Sequence, residues 1–227
     1  MITDFTFAAI DAGVTETDRQ HMLQEFLSIP DSFYLYNKFR GCRILHVYNG
    51  LGSRIDSTIV NQRENSTKGS FAYTDIEMYI PKTKKILKEK IFPWMSPVGR
   101  INILRTAPNQ GLNLHLDSKE SEVGTRQHKY RLVLSGDIDR LFFIDKHGNQ
   151  VYVPQYYSSY VLDGTHLHSL EASDKEKITL CIGTPWNGEP TQGYINLLSN
   201  ASFKMNVSRP SMVESAWLDP YYKERNK

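Results

Sequence analysis

His115 and Asp117 lie in the segment L-N-L-H-L-D-S (112–118), where leucines alternate with polar residues. If the segment is a strand, residues two apart share a face, so the imidazole and the carboxylate point one way and Leu114 and Leu116 the other. Two such groups can supply two ligands to one divalent ion. A second segment, D-G-T-H-L-H-S (163–169), offers His166 and His168, again two apart, as the source of a third ligand. Two imidazoles and one carboxylate on one face of an octahedral ion leave open positions. That set suits iron(II) engaged in oxygen chemistry. Zinc more often takes a tetrahedral, nitrogen- or sulfur-rich set. An H-x-D pair alone carries little weight, since a strand-borne histidine beside an aspartate is more often a simple hydrogen-bonded pair.

Lys177 adds weight. It stands nine positions after His168 and opens the apolar run K-I-T-L-C-I-G (177–183). A diacid chelated to a metal at one end leaves its far carboxylate in need of a cation, and a lysine here can supply a charge-assisted hydrogen bond. Lysine is a point charge without the fork of arginine, so further donors are needed for orientation. Thr179 shares its face and is a candidate. The plainer alternative is a solvated lysine at a strand end, beside Lys175 and Glu176.

These residues need a scaffold, and the chain has two textures. From 99 onward eight short alternating segments follow one another: 100–105, 112–118, 128–135, 140–145, 149–154, 157–163, 165–170 and 177–183. The turn K-H-G-N (146–149) predicts a hairpin. Closely spaced short strands of this kind predict an antiparallel jelly roll. Residues 1–95 are mixed. A helix is expected over 15–27, capped by Thr15 or Thr17, with Met22, Leu23, Phe26 and Leu27 on one face. A second is expected over 74–91, interrupted by Pro81. Strands are expected within 33–39 and 43–48, and a polar loop near 61–69. Residues 186–227 show little periodicity and are expected to cover the core. The expected organisation is one domain, 1–227, with an N-terminal elaboration (1–98), a jelly-roll core (99–184) and a covering segment (185–227).

Composition narrows the class. Of 227 residues, 40% are apolar and 23% charged, which is ordinary for a globular protein with its own core. A net charge of +2 is too small to argue for nucleic acid or a membrane surface. Cys42 and Cys181 cannot build a disulfide framework, so a reduced, cytoplasmic setting is expected. The N-terminus lacks a basic region and does not read as a secretory signal. No apolar stretch is long enough to span a bilayer.

Taken together, 100–183 resembles the 2-oxoglutarate/Fe(II) oxygenases of the aspartyl/asparaginyl β-hydroxylase and proline-hydroxylase-like group. The shared order is R-I-N-I-L-R-T-A-P-N-Q-G (100–111), H-L-D (115–117), H-K-Y-R-L-V-L (128–134), D-G-T-H-L-H-S-L (163–170) and K-I-T-L (177–180). The resemblance implies a mainly β protein with flanking helices, built on a double-stranded β-helix (a cupin-like jelly roll). It implies iron(II) held by His115, Asp117 and His168, and 2-oxoglutarate gripped by Lys177, with O2 consumed and succinate and CO2 released. Spacing to Lys177 favours His168 over His166, which is then expected to stand behind the ligands or face the substrate, as is Arg105. Where the family usually has Arg-x-His after H-x-D, this chain has Lys129-Tyr130-Arg131; a cosubstrate role is carried to Arg131. Retention of Asp117 favours hydroxylation. The implied substrate is a free amino acid or a protein or peptide side chain, with no role for a membrane or nucleic acid. The competing expectations are a non-catalytic cupin-like module and a β-sandwich with incidental histidines.

Overall fold

The computed structural model describes residues 5–37, 40–50, 52–54, 71–95, 98–117, 128–136, 140–183 and 190–210. The expected polar loop at 61–69 falls outside them. Eight strands run from 101 to 183: β5 (Ile101–Thr106), β6 (Leu112–His115), β7 (His128–Ser135), β8 (Leu141–Ile144), β9 (Gln150–Tyr152), β10 (Ser159–Asp163), β11 (His168–Leu170) and β12 (Lys177–Gly183). They alternate between two antiparallel sheets, in the orders β10-β7-β12-β5 and β6-β11-β8-β9. That winding, with successive strand pairs crossing from sheet to sheet, is a double-stranded β-helix.

Side-chain alternation assigns the faces. On β12, Ile178, Leu180 and Ile182 enter the outer core, and on β7 so do Tyr130, Leu132 and Leu134. Their neighbours Cys181 and Val133 turn inward. Lys177 and Thr179, and likewise Lys129 and Arg131, therefore take the inward face, toward the smaller sheet. The outer core is closed by helices. The first, α1 (Glu16–Ser28), buries Met22 and Phe26 and begins with a capping box between Thr15 and Asp18. The second, α2, is composite: an α turn at Pro81–Ile86, a π segment at Leu87–Ile91 and a last turn at Phe92–Met95. Pro81 starts it and does not interrupt it, because a proline at the first helical position loses no hydrogen bond. Its leading N–H groups, on Lys82 and Thr83, donate to the Glu25 carboxylate of α1. The stretch 75–79 before it is a separate 3-10 turn.

Before β5 the chain forms β1 (Phe7–Ala9), β2 (Leu35–Asn37), β3 (Cys42–Asn49) and β4 (Ala72–Tyr73). After β12 it forms α3 (Gln192–Ser199) and β13 (Phe203–Met205). Strands β3 and β2 extend the larger sheet beyond β5, while β1 and β13 extend it beyond β10. Residues 186–227, where the sequence shows little periodicity, thus hold a helix and a strand. α3 buries Tyr194 and Leu198 in the outer core, and β13 pairs with β1, Lys204 lying opposite Ala8, 196 positions earlier. A three-residue strand carries too little alternation to be read locally.

Gly111, ahead of β6, is a place where only glycine fits: a Cβ there would lie 2.4 Å from the Leu170 carbonyl oxygen. Cys42 and Cys181 are unpaired and buried, and pack in one apolar cluster with Ile44 and Leu104. Among the described residues no helix is long and apolar enough to cross a membrane.

Candidate metal centre

His115 ends β6 and His168 opens β11, and the two are direct partners across that antiparallel pair. Both are buried, and their ring centroids are 4.5 Å apart. The Nδ1 of His115 lies 2.6 Å from the Asn113 carbonyl, and the Nδ1 of His168 lies 2.8 Å from the His166 carbonyl. A carbonyl only accepts, so each Nδ1 carries the proton and each Nε2 keeps its lone pair. Main-chain acceptors behind a ligating imidazole set its tautomer in this way at metal sites.

Asp117 does not ride on the strand as its spacing suggested. β6 ends at His115, and Asp117 sits in the bend beyond, its N–H donating to the Gly164 carbonyl at 2.8 Å. The side chain still returns to the same side, and one ligand atom from each of His115, Asp117 and His168 falls within 4.8 Å of the others. His166 is also off the strand. Its N–H donates to the Asp163 carbonyl in a turn, and its Nε2 bonds the Ile144 carbonyl at 2.9 Å. The strand expected to carry both histidines therefore begins only at His168, and period-two alternation does not describe His166, although both rings pack against Phe143. His166 reaches the cluster through its carbonyl, and its ring packs edge-on to Phe143. Arg209 pairs with Asp163 and Thr165 in the same turn, so the C-terminal segment fastens the loop that carries His168.

The Asp117 carboxylate accepts from two guanidiniums. Arg131 Nη2 is 2.8 Å from Oδ2, and Arg40 Nη2 is 2.5 Å from Oδ1. Arg131 stands on the inward face of β7. Arg40 lies in the turn between β2 and β3, where no local pattern marks it. Its carbonyl accepts from Asn113 N–H at 3.1 Å, docking that turn on β6 two residues before His115. Burial by itself would raise the Asp117 carboxyl; Arg40 first and Arg131 next outweigh it and hold the group well below the usual carboxylate range. Burial, helped by the neighbouring His168 and Arg40, holds His115 well below the usual imidazole value. His168 is lowered by burial as well, against the pull of Asp117. The centre thus presents two neutral imidazoles and one ionised carboxylate, the protonation states a divalent ion requires. Donors about 2.1 Å from one ion stand about 3 Å apart in neighbouring positions. His115 Nε2 and Asp117 Oδ1, at 3.8 Å, need only a small closure. The donor set fits a divalent ion.

Lys177, paired with Thr106 on β5, is buried, as is Thr179. The solvated strand-end alternative for Lys177 is thereby removed. Arg105 points to the other face of β5 and is bound by Glu176 and Asp31, away from the cluster. Lys129, inward on β7, is lowered to about 7 by burial, with Asp117 opposing and Arg100, Arg131 and Arg40 assisting. Its ammonium would lie 3.2 Å from a Cβ on Gly183.

No family model matches the chain, and no curated protein is significantly similar to it. Among solved structures, the chain is similar to a Pseudomonas putida prolyl-4-hydroxylase at 12% identity, over 79% of this chain and 91% of that one, with a TM-score of 0.48. A 2OG-Fe(II) oxygenase family oxidoreductase from Burkholderia pseudomallei is similar at 12% identity, over 76% and 80%, with a TM-score of 0.48. AviO1 from Streptomyces viridochromogenes is similar at 10% identity, over 84% and 95%, with a TM-score of 0.48. The fold itself follows from the strand order and register given above.

Proposed function

We propose that this chain is an Fe(II)- and 2-oxoglutarate-dependent oxygenase of the β-hydroxylase and prolyl-hydroxylase-like group. In this reading it hydroxylates a free amino acid or a protein or peptide side chain in a reducing, cytoplasmic setting. One observation carries the reading: His115 and His168 present unprotonated Nε2 atoms beside the ionised Asp117, at one end of the space between the two sheets. Iron(II) held by these residues would supply the chemistry that couples decarboxylation of 2-oxoglutarate, with O2, to oxidation of a C–H bond.

His115, Asp117 and His168 would hold the metal. Lys177, buried on the inward face of β12, would grip the far carboxylate of 2-oxoglutarate, with the Thr179 hydroxyl on the same face as a second donor. Arg131 would keep Oδ2 of Asp117 and fix the direction in which Oδ1 is offered. Burial of the whole set excludes bulk water from the reacting end of the cosubstrate. In this reading 99–184 is the core of a single domain, and the flanking segments 1–98 and 185–227 supply Arg40 and Arg209.

The arginine clamp on Asp117 favours a second reading: a non-catalytic cupin-like module in which the carboxylate is compensated by Arg40 and Arg131 and needs no metal. Succinate formation from 2-oxoglutarate, measured with candidate amino acids and peptides for wild type and Asp117→Ala, tests the first against the second. Metal-dependent turnover lost in the variant is expected. Equal background in both would overturn the enzymatic reading.

A further inference from the structure

The two oxygens of Asp117 are not equivalent. Oδ1 is the atom 3.8 Å from His115 Nε2, so it is the one that faces the position where an ion would sit. It is also the atom that Arg40 holds at 2.5 Å. Oδ2 is bound by Arg131, whose side chain is only 8% exposed and part of the inner wall. An ion that binds Oδ1 therefore meets Arg40 in direct competition, and can leave the Arg131 contact in place. Arg40 differs from Arg131 in its setting too. Its side chain is 24% exposed, at the rim, while its backbone is tied on both sides, its N–H to the Asn37 side chain at 3.0 Å and its carbonyl to Asn113 N–H at 3.1 Å. Those two backbone hydrogen bonds can persist while the partly exposed guanidinium turns away.

We propose that Arg40 is exchanged: metal binding takes Oδ1 from it, and the guanidinium released at the rim then holds a carboxylate of the substrate. This inference rests on the metal-site reading above and names a substrate class for it, carboxylate-bearing molecules such as free or N-acylated amino acids. The charge arithmetic points the same way. Arg40, Arg131 and Lys177 bring three positive charges against the one carboxylate of Asp117, and a divalent ion adds two. Bound 2-oxoglutarate removes two, which leaves a net positive charge, part of it on Arg40 at the rim, to be matched. A planar guanidinium offers paired N–H donors to a carboxylate, a geometry that an ammonium cannot reproduce.

The test uses the full chain in two steps. Mn(II) alone is titrated anaerobically into wild type, Arg40→Gln and His115→Ala, with calorimetry or the loss of free-ion paramagnetic resonance signal as readout. Competition predicts that Arg40→Gln binds Mn(II) roughly tenfold more tightly than wild type, because the ion no longer has to displace a charge-assisted hydrogen bond from Oδ1. Unchanged or weaker binding in a variant with native circular dichroism overturns the exchange. Arg40→Lys, which keeps the charge but not the fork, should fall between the two, and stands in if the glutamine variant does not fold. Wild type that binds no Mn(II), or binding indifferent to His115→Ala, would instead defeat the metal-site reading. In the second step, protein loaded with Mn(II) and 2-oxoglutarate is titrated with N-acetyl amino acids and with their primary amides. Wild type should prefer the acids, and Arg40→Gln should lose that preference. The same preference in both proteins, or none in wild type, overturns the carboxylate assignment while leaving the metal site standing.

Discussion

His115 and His168 face one another across β6 and β11, and each gives its Nδ1 proton to the carbonyl two residues before it, Asn113 for one and His166 for the other. The same local device on two strands, brought together by one antiparallel register, turns two Nε2 lone pairs to a common point. Under the proposed reading, removing either imidazole leaves an ion one protein donor short. His115→Ala and His168→Ala should each weaken Mn(II) binding on the order of a hundredfold or more. Calorimetric titration checks this, and wild-type affinity in either variant would exclude that residue as a ligand.

Under the proposed function, Lys177 serves cosubstrate binding and not metal binding. Lys177→Ala should leave Mn(II) affinity near wild type and weaken 2-oxoglutarate binding to the loaded protein by about 2 kcal/mol or more, roughly thirtyfold. Lys177→Arg should restore part of it. Loss of Mn(II) affinity without a specific loss of 2-oxoglutarate would place Lys177 elsewhere in the machinery.

His166 makes stability depend on pH. Its ring is buried, and burial lowers it from 6.5 to about 4, with the Ile144 hydrogen bond opposing. Between those values the unfolded chain binds a proton that the folded chain refuses, so stability falls as pH drops from about 6.5 to about 4. The full loss for this one group is on the order of 3 kcal/mol. Urea denaturation of the metal-free protein at pH 7 and pH 4.5 should show a smaller acid loss for His166→Gln than for wild type. An equal acid loss in both would rule His166 out as the source.

Gly111 couples packing to the site. A methyl group there must displace the Leu170 carbonyl, 2.4 Å away, and with it the pairing of β11 against β6. Gly111→Ala should cost about 1–3 kcal/mol of stability. It should also weaken Mn(II) binding, because the same strand pair carries His115 and His168. Unaltered denaturation and metal affinity together would show that the neighbouring backbone yields freely.

Some of this was legible in the chain itself. β7 and β12 keep the ends expected for them, and α1 starts after Thr15 as its cap predicts. Such features depend on alternation or capping among near neighbours. His166 and Asp117 show where local reasoning stops. Both lie beyond the ends of their strands, in backbone held by the 163–166 turn, so a period of two no longer describes them.

By itself the sequence determined the residue types for a metal set, their order along the chain and the alternation that builds the eight strands, since all of these are properties of adjacent residues. Tertiary structure alone decided that His168 stands opposite His115, that Asp117 returns to the same point, and that Arg40 reaches it from 77 positions away. Those depend on strand register and on how a distant turn docks, and both are set by packing over the whole fold.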